Sequence, residues 1–167
     1  MKDLLLQYAE YNLWANDKLI EAINELENER QHEKIISSFD SIYKTLFHVW
    51  RAGHLWWERF QTGKNSGEPK DDFNSSAKNV GEALLHQDKL WIEFINQSTD
   101  NSLRKMLTYK NLRGDEFSEP IYLVLHHVFN HCTYHRGQLV TMLRQVGVEK
   151  IPGTDFIAWV RIQEKNL

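Results

Sequence analysis

The chain has 167 residues, enough for a single domain over 1–167 with a sizeable core. Its 20 basic and 23 acidic residues are mixed along the sequence for a net charge of −3, which excludes the basic face of a nucleic-acid binder, and no apolar run approaches the ~20 residues of a membrane span. The single cysteine, Cys132, excludes an intrachain disulfide and a multi-thiolate metal site and fits a reducing cytoplasm.

The opening "MKDLLLQYAEYNLWAND" has only three consecutive leucines before polar residues enter, so no secretory signal is expected. Helical periodicity begins at once. Leu4, Tyr8, Tyr11, Ala15, Leu19, Ala22 and Leu26 recur at spacings of four or three. A polar linker, "ENERQHEKI", leads to a second helix opening near "SSFDS", where Ser and Asp can cap, and running to about Gln61. Ile42, Leu46, Val49, Trp56 and Phe60 form its apolar face. "TGKNSGEPKDDFNSS" is a loop on composition, long enough for the flanking helices to run parallel.

A third helix carries Val80, Leu84, Gln87, Trp91 and Phe94 on one face. The helical period is then lost, and Leu107-Thr108-Tyr109 followed by "NLRGD" suggests a short β-hairpin. Pro120 suits the start of a fourth helix, which stops at Gly147, and a short terminal helix begins near Thr154 or Asp155. Four long amphipathic helices in one small domain predict an all-α four-helix bundle.

Four of the eight histidines fall in "HHVFNHCTYHRGQ" on the fourth helix. On a wheel centred on His135, Val124, Val128, Leu139, Met142 and Val146 lie within about 40°, and so does His131. His127 lies about 80° away, at the edge of that face, and His126 on the opposite side. Two imidazoles at i and i+4 stand ~6 Å apart along the axis and can converge on one ion. The structural alternative is two core histidines, each hydrogen-bonded to a neighbouring helix. A metal needs a third ligand, and His48 is the best placed, at the border of the second helix's apolar arc. His54 is expected to face water, His86 lies about 140° from Trp91 on the third helix, and His32 belongs to the linker.

Neighbouring residues have simpler readings. Gly137 in a helix interior costs ~1 kcal/mol relative to Ala, which predicts a close helix approach there. Arg136 is read as the partner of an acidic neighbour before a binder of anionic substrate. Cys132 is read as a small buried hydrophobe, and Trp50, Trp56 and Trp57 as core or dimer interface. Glu58, Asn130 and Gln138 are candidates to orient the ligating histidines. With unperturbed imidazoles of pKa ~6.5, metal affinity is expected to fall below about pH 6.

His48 together with "HxxxHRGQ" resembles the DinB/YfiT-like family of bacterial metalloenzymes. "YNLWAND", "LFHVWRAGHLWWERF" and "TDFIAWVR" resemble the family's first, second and closing segments, so the likeness spans nearly the whole chain. It implies a four-helix bundle connected up-down-down-up. It also implies a metal triad of one histidine from helix two and two from helix four: His48, His131 and His135. His54 stands where the family usually has an acidic or polar residue, leaving open a fourth ligand or substrate contact, and the part of His127 is open too. The resemblance further implies a divalent transition metal, Zn or Ni, a small-molecule substrate with a low-molecular-weight thiol as one candidate, and a homodimer. The reaction class is hydrolase or thiol-dependent transferase. The rival reading is a non-catalytic metal- or ligand-binding stress protein.

Overall fold

A computed structural model describes residues 1–64 and 73–165. The middle of the polar loop between the second and third long helices lies outside the described residues. In chain order the elements are α1 (Lys2–Asn24), α2 (Asn28–Gln31), α3 (Ile42–Thr62), α4 (Ala77–Gln97), α5 (Asp100–Leu103), β1 (Met106–Lys110), β2 (Glu116–Pro120), α6 (Ile121–Gln145) and α7 (Phe156–Glu164).

Local chemistry sets the ends. The Ser41 and Ser76 hydroxyls accept the N–H groups of Lys44 and Asn79 at the starts of α3 and α4, and Thr99 and Ser102 form a reciprocal capping box on α5. Gly63 and Gly147 close α3 and α6 at φ +67° and +79°, a conformation that side chains with a Cβ resist. The hairpin pairs Tyr109 with Phe117, and the Asn111 side chain accepts two N–H bonds across its turn. The short helices α2 and α5 were not legible as helices. In α2, Gln31 is buried and its amide donates to the carbonyls of Ile23 and Leu26, tying the linker to the end of α1.

The four long helices form the bundle, and residue pairings give their directions. Tyr8 meets Phe129 while Asn12 and Asn16 meet Arg136, so α1 and α6 are parallel. Trp57 packs on Trp91 and Phe60 on Phe94, so α3 and α4 are parallel. Lys2 reaches Asn96 and Gly81 abuts Ile20, so α1 and α4 are antiparallel; Thr45 touches Met142 and Trp56 touches His127, so α3 and α6 are too. The connection is therefore up-down-down-up. α1 and α4 approach closely at Gly81, where an added Cβ would lie 2.6 Å from Ile20 Cγ2.

The core has two apolar clusters stacked along the bundle. One holds Leu5, Ala9, Trp91, Ile95, Leu125 and Phe129; the other holds Leu19, Ile23, Leu46, Val80, Leu84, Met142 and Leu143. Polar residues lie between them: Asn12 and Asn16 on α1, Asp88 on α4, and Arg136 on α6, all buried. The expected face of α1 needs one correction. Leu4 is 73% exposed and Leu5 takes its place in the core, because helix phase at the first turn is set by packing against α5 and α6.

Candidate metal centre

The antiparallel pairing of α3 and α6 brings His48 against His131 and His135. His131 Nε2 lies 3.2 Å from His48 Nε2 and 3.1 Å from His135 Nε2. Among the described residues these three form a group whose ligand atoms lie within 4.8 Å of one another and could hold a metal ion. His135 is buried, and the other two are partly exposed.

The hydrogen bonds around the cluster orient it. Gln138 turns its amide nitrogen to Ser38 Oγ at 3.0 Å, so its Oε1 faces His135 Nδ1 at 2.7 Å. His135 therefore carries its proton on Nδ1 and presents a bare Nε2 lone pair to the cluster. A single N–H on His131 Nε2 points at one neighbour and not both, so the chain by itself leaves one ring nitrogen of the cluster without a proton partner, a place where a cation would fit. The observed separations are close to the ~3.3 Å edge of a tetrahedron built on metal–nitrogen bonds of 2.0–2.1 Å. Of the proposed orienting residues, Gln138 fills that part; Asn130 is exposed.

Electrostatics agrees with ligation. Burial, then the neighbouring His135 and Arg51, pushes His48 down to about 4. Burial and the other histidines push His131 down to about 4 as well. Burial lowers His135 against the bond to Gln138. All three are neutral at pH 7, as ligands must be.

Phe39, in the segment before α3, stacks on His48 with centroids 4.1 Å apart and lies 5.8 Å from His135. Sequence reasoning passed over it, since it belongs to no periodic element. The other histidines stay outside the group. His54 stacks on Trp50 at 5.2 Å and sits 3.6 Å from Glu58, so it rests on an aromatic face and does not stand free in water as expected. His127 edges Trp56, its ring 6.1 Å from that of His131. His126 is exposed on the far side of α6, against Tyr8, and His86 is exposed on α4.

Arg136 follows His135 but points to the other flank of α6. Its guanidinium donates to Oδ1 of Asn12 and, at 2.9 Å, of Asn16, and also to Thr133 Oγ1 at 2.8 Å. The amide nitrogens of the same asparagines donate to the two oxygens of Asp88 at 2.9 and 2.8 Å. Arg136 is thus structural, paired with an acid through two amides. Burial pushes the Asp88 carboxyl up to about 7, while the asparagine donors and Arg136 act to hold it ionised. Asp88 was missed; the readable signal was Asn12 and Asn16, a polar pair at i and i+4 beside Ala15 on an apolar face. Cys132 is buried, and burial beside Asp88 pushes its thiol up to about 12, which makes it an inert hydrophobe.

The close approach expected at Gly137 is absent: an added Cβ meets nothing within 4 Å. Gly137 instead lines a cavity of about 320 Å³ with Ile36, Ser37, Tyr134, Gln138 and Thr141, on the outer side of the His135–Gln138 bond. Trp50 is core, and Trp57 packs on Trp91. Trp56 lies under the Arg59 guanidinium, 4.4 Å from its ring centroid.

This architecture has relatives. The chain is 33% identical over 168 aligned positions to protein DinB of Bacillus subtilis, covering 93% of each. It shares its fold with a DinB-like protein from Bacillus subtilis (TM-score 0.67, 15% identity, 89% of this chain and 98% of the other). It also matches one from Bacillus cereus (TM-score 0.64, 20% identity, 89% and 94%). The sequence pattern of the DinB family matches residues 1–165, and the chain belongs to that family.

Proposed function

We propose that His48, His131 and His135 bind one divalent transition metal ion, Zn or Ni, and that the protein is a metal-dependent enzyme of hydrolase or thiol-dependent transferase type. The observation that carries this reading is the convergence of three neutral imidazole nitrogens, with His135 fixed by Gln138 so that its lone pair points inward. Among the described residues no fourth His, Cys, Asp or Glu joins the group, which leaves a coordination position for water or substrate, the pattern of catalytic sites. A bound ion would supply Lewis acidity and a more acidic bound water or thiol at that position. The chain's own residues hold the ligands neutral, orient His135 and cover one side of the site with Phe39. A small-molecule substrate, with a low-molecular-weight thiol as one candidate, and a homodimeric assembly complete the reading and rest on the family resemblance; a cytoplasmic location rests on the single cysteine.

Elemental analysis of protein purified without a nickel column tests the binding: about one divalent metal per chain is expected. No metal and no uptake on titration would overturn it. The visible spectrum of the cobalt-loaded protein tests the open position. A shift on adding a small anion or thiol is expected, whereas an unresponsive spectrum favours the rival reading of a closed, non-catalytic metal protein.

A further inference from the structure

We infer that the buried Asp88–Asn12/Asn16–Arg136 layer is a positioning device for the histidine cluster: it sets the rotation and register of α6 so that His131 and His135 face α3. This rests on the metal-site reading above.

The argument starts from the amide group. A side-chain amide can accept from a guanidinium and donate to a carboxylate at once, and here two amides do so in parallel between Arg136 and Asp88. All four residues are at most 3% exposed, so no water replaces a lost bond. The layer joins α1, α4 and α6, and α6 carries two of the three histidines. Arg136 is adjacent to His135, about 100° round the helix, so restraining one restrains the other. If α6 turned by one residue, both asparagine oxygens would lose their donor and both imidazoles would leave α3. An apolar layer would tolerate such turns, because hydrophobic packing is non-directional. Buried charged networks are often replaceable by apolar residues without loss of stability, so stability alone does not account for this one. Its position does: it lies level with the histidines, between the two apolar clusters.

The test is an all-apolar layer (Asn12→Leu, Asn16→Leu, Asp88→Leu, Arg136→Met), with zinc affinity and the cobalt spectrum measured on protein shown by circular dichroism to be folded. The expected result is retained helicity, at least ~10-fold weaker zinc binding and an altered cobalt spectrum. Wild-type affinity with an unchanged spectrum would overturn the inference. If the quadruple variant does not fold, Arg136→Lys and Arg136→Met decide. The lysine keeps the cation but loses the planar guanidinium that serves Asn12, Asn16 and Thr133, so it should fall between wild type and the methionine, which should bind at least ~10-fold more weakly than wild type. Equal affinities in those two would overturn it. Wild-type protein that binds no zinc would bring down the metal reading and this inference together; wild-type and layer variants that bind alike bring down the inference alone.

Discussion

Two polar clusters sit at the same level of the bundle, on opposite flanks of α6, and they differ in how they are satisfied. In the Asp88 layer donors meet acceptors throughout: guanidinium to amide oxygen, amide nitrogen to carboxylate. In the histidine cluster three ring nitrogens face one another with too few protons to pair them. The first is closed and complete within the chain. The second is the group that could hold an added ion. A buried polar group needs partners, and the location of the missing partner distinguishes a framework from a site.

The largest expected effect breaks the framework. At pH 8, where its carboxyl is ionised, Asp88→Ala removes the acceptor of both asparagine amides and the counter-charge of Arg136, so unfolding free energy should fall by about 3–5 kcal/mol in denaturant titration. A change below ~1 kcal/mol would show that the layer is not satisfied as described. Substitutions in the site should behave differently. His48→Ala and His135→Ala should each weaken metal binding by at least ~10-fold, while His126→Ala, on the far side of α6, leaves it unchanged. Equal losses from all three would mean that the facing of α6 is wrong.

Acid sharpens the comparison. In the metal-free protein His48 and His131 titrate near 4, below the unfolded value of ~6.5. The unfolded chain therefore takes up protons first, and the stability these groups contribute, present above ~6.5, is lost as pH falls towards 4. At His48 and His131 the folded site competes with protons only near that lower value, while burial lowers His135 against its bond to Gln138. The window in which metal affinity falls thus moves down from the ~6 expected of unperturbed histidine towards 4. Thermal melts with and without chelator should show the metal-dependent increment retained at pH 5.5 and shrinking as pH approaches 4. An increment already lost at pH 5.5 would show that the histidines are not depressed. The smallest effect is expected at Gly137. Gly137→Ala should raise stability by up to ~1 kcal/mol, since the Cβ meets open space, and a loss in the melt would reveal a neighbour there.

Much of this was legible in the chain. Helix positions followed from apolar spacing, and α6 begins and ends where Pro120 and Gly147 foretold. His131 and His135 were legible because a polar pair at i and i+4 on an apolar face demands partners. Asn12 and Asn16 carried the same signal, but it points to no particular partner: Asp88 is 72 residues from Asn16, and nothing in the spacing along the third helix ties the one to the other. Leu4 and Gly137 were misread for a related reason. Helical phase says which side of a helix is apolar, and says nothing of which neighbour covers each position.

The sequence by itself determined the four amphipathic helices, the hairpin, the serine cap near the start of α3, the two ends of α6 and the inward-facing pair His131 and His135 with His48 as the best-placed third, because these depend on periodicity and on the chemistry of neighbours in the chain. Only the tertiary structure decided that α3 runs antiparallel to α6 at the height that brings His48 to the pair, that Gln138 fixes His135, and that Phe39 covers the site. It alone also decided that Asp88 answers Arg136 through two amides. Those facts rest on contacts between residues far apart in the chain, whose geometry is set when apolar faces pack and every buried polar group must find its partner.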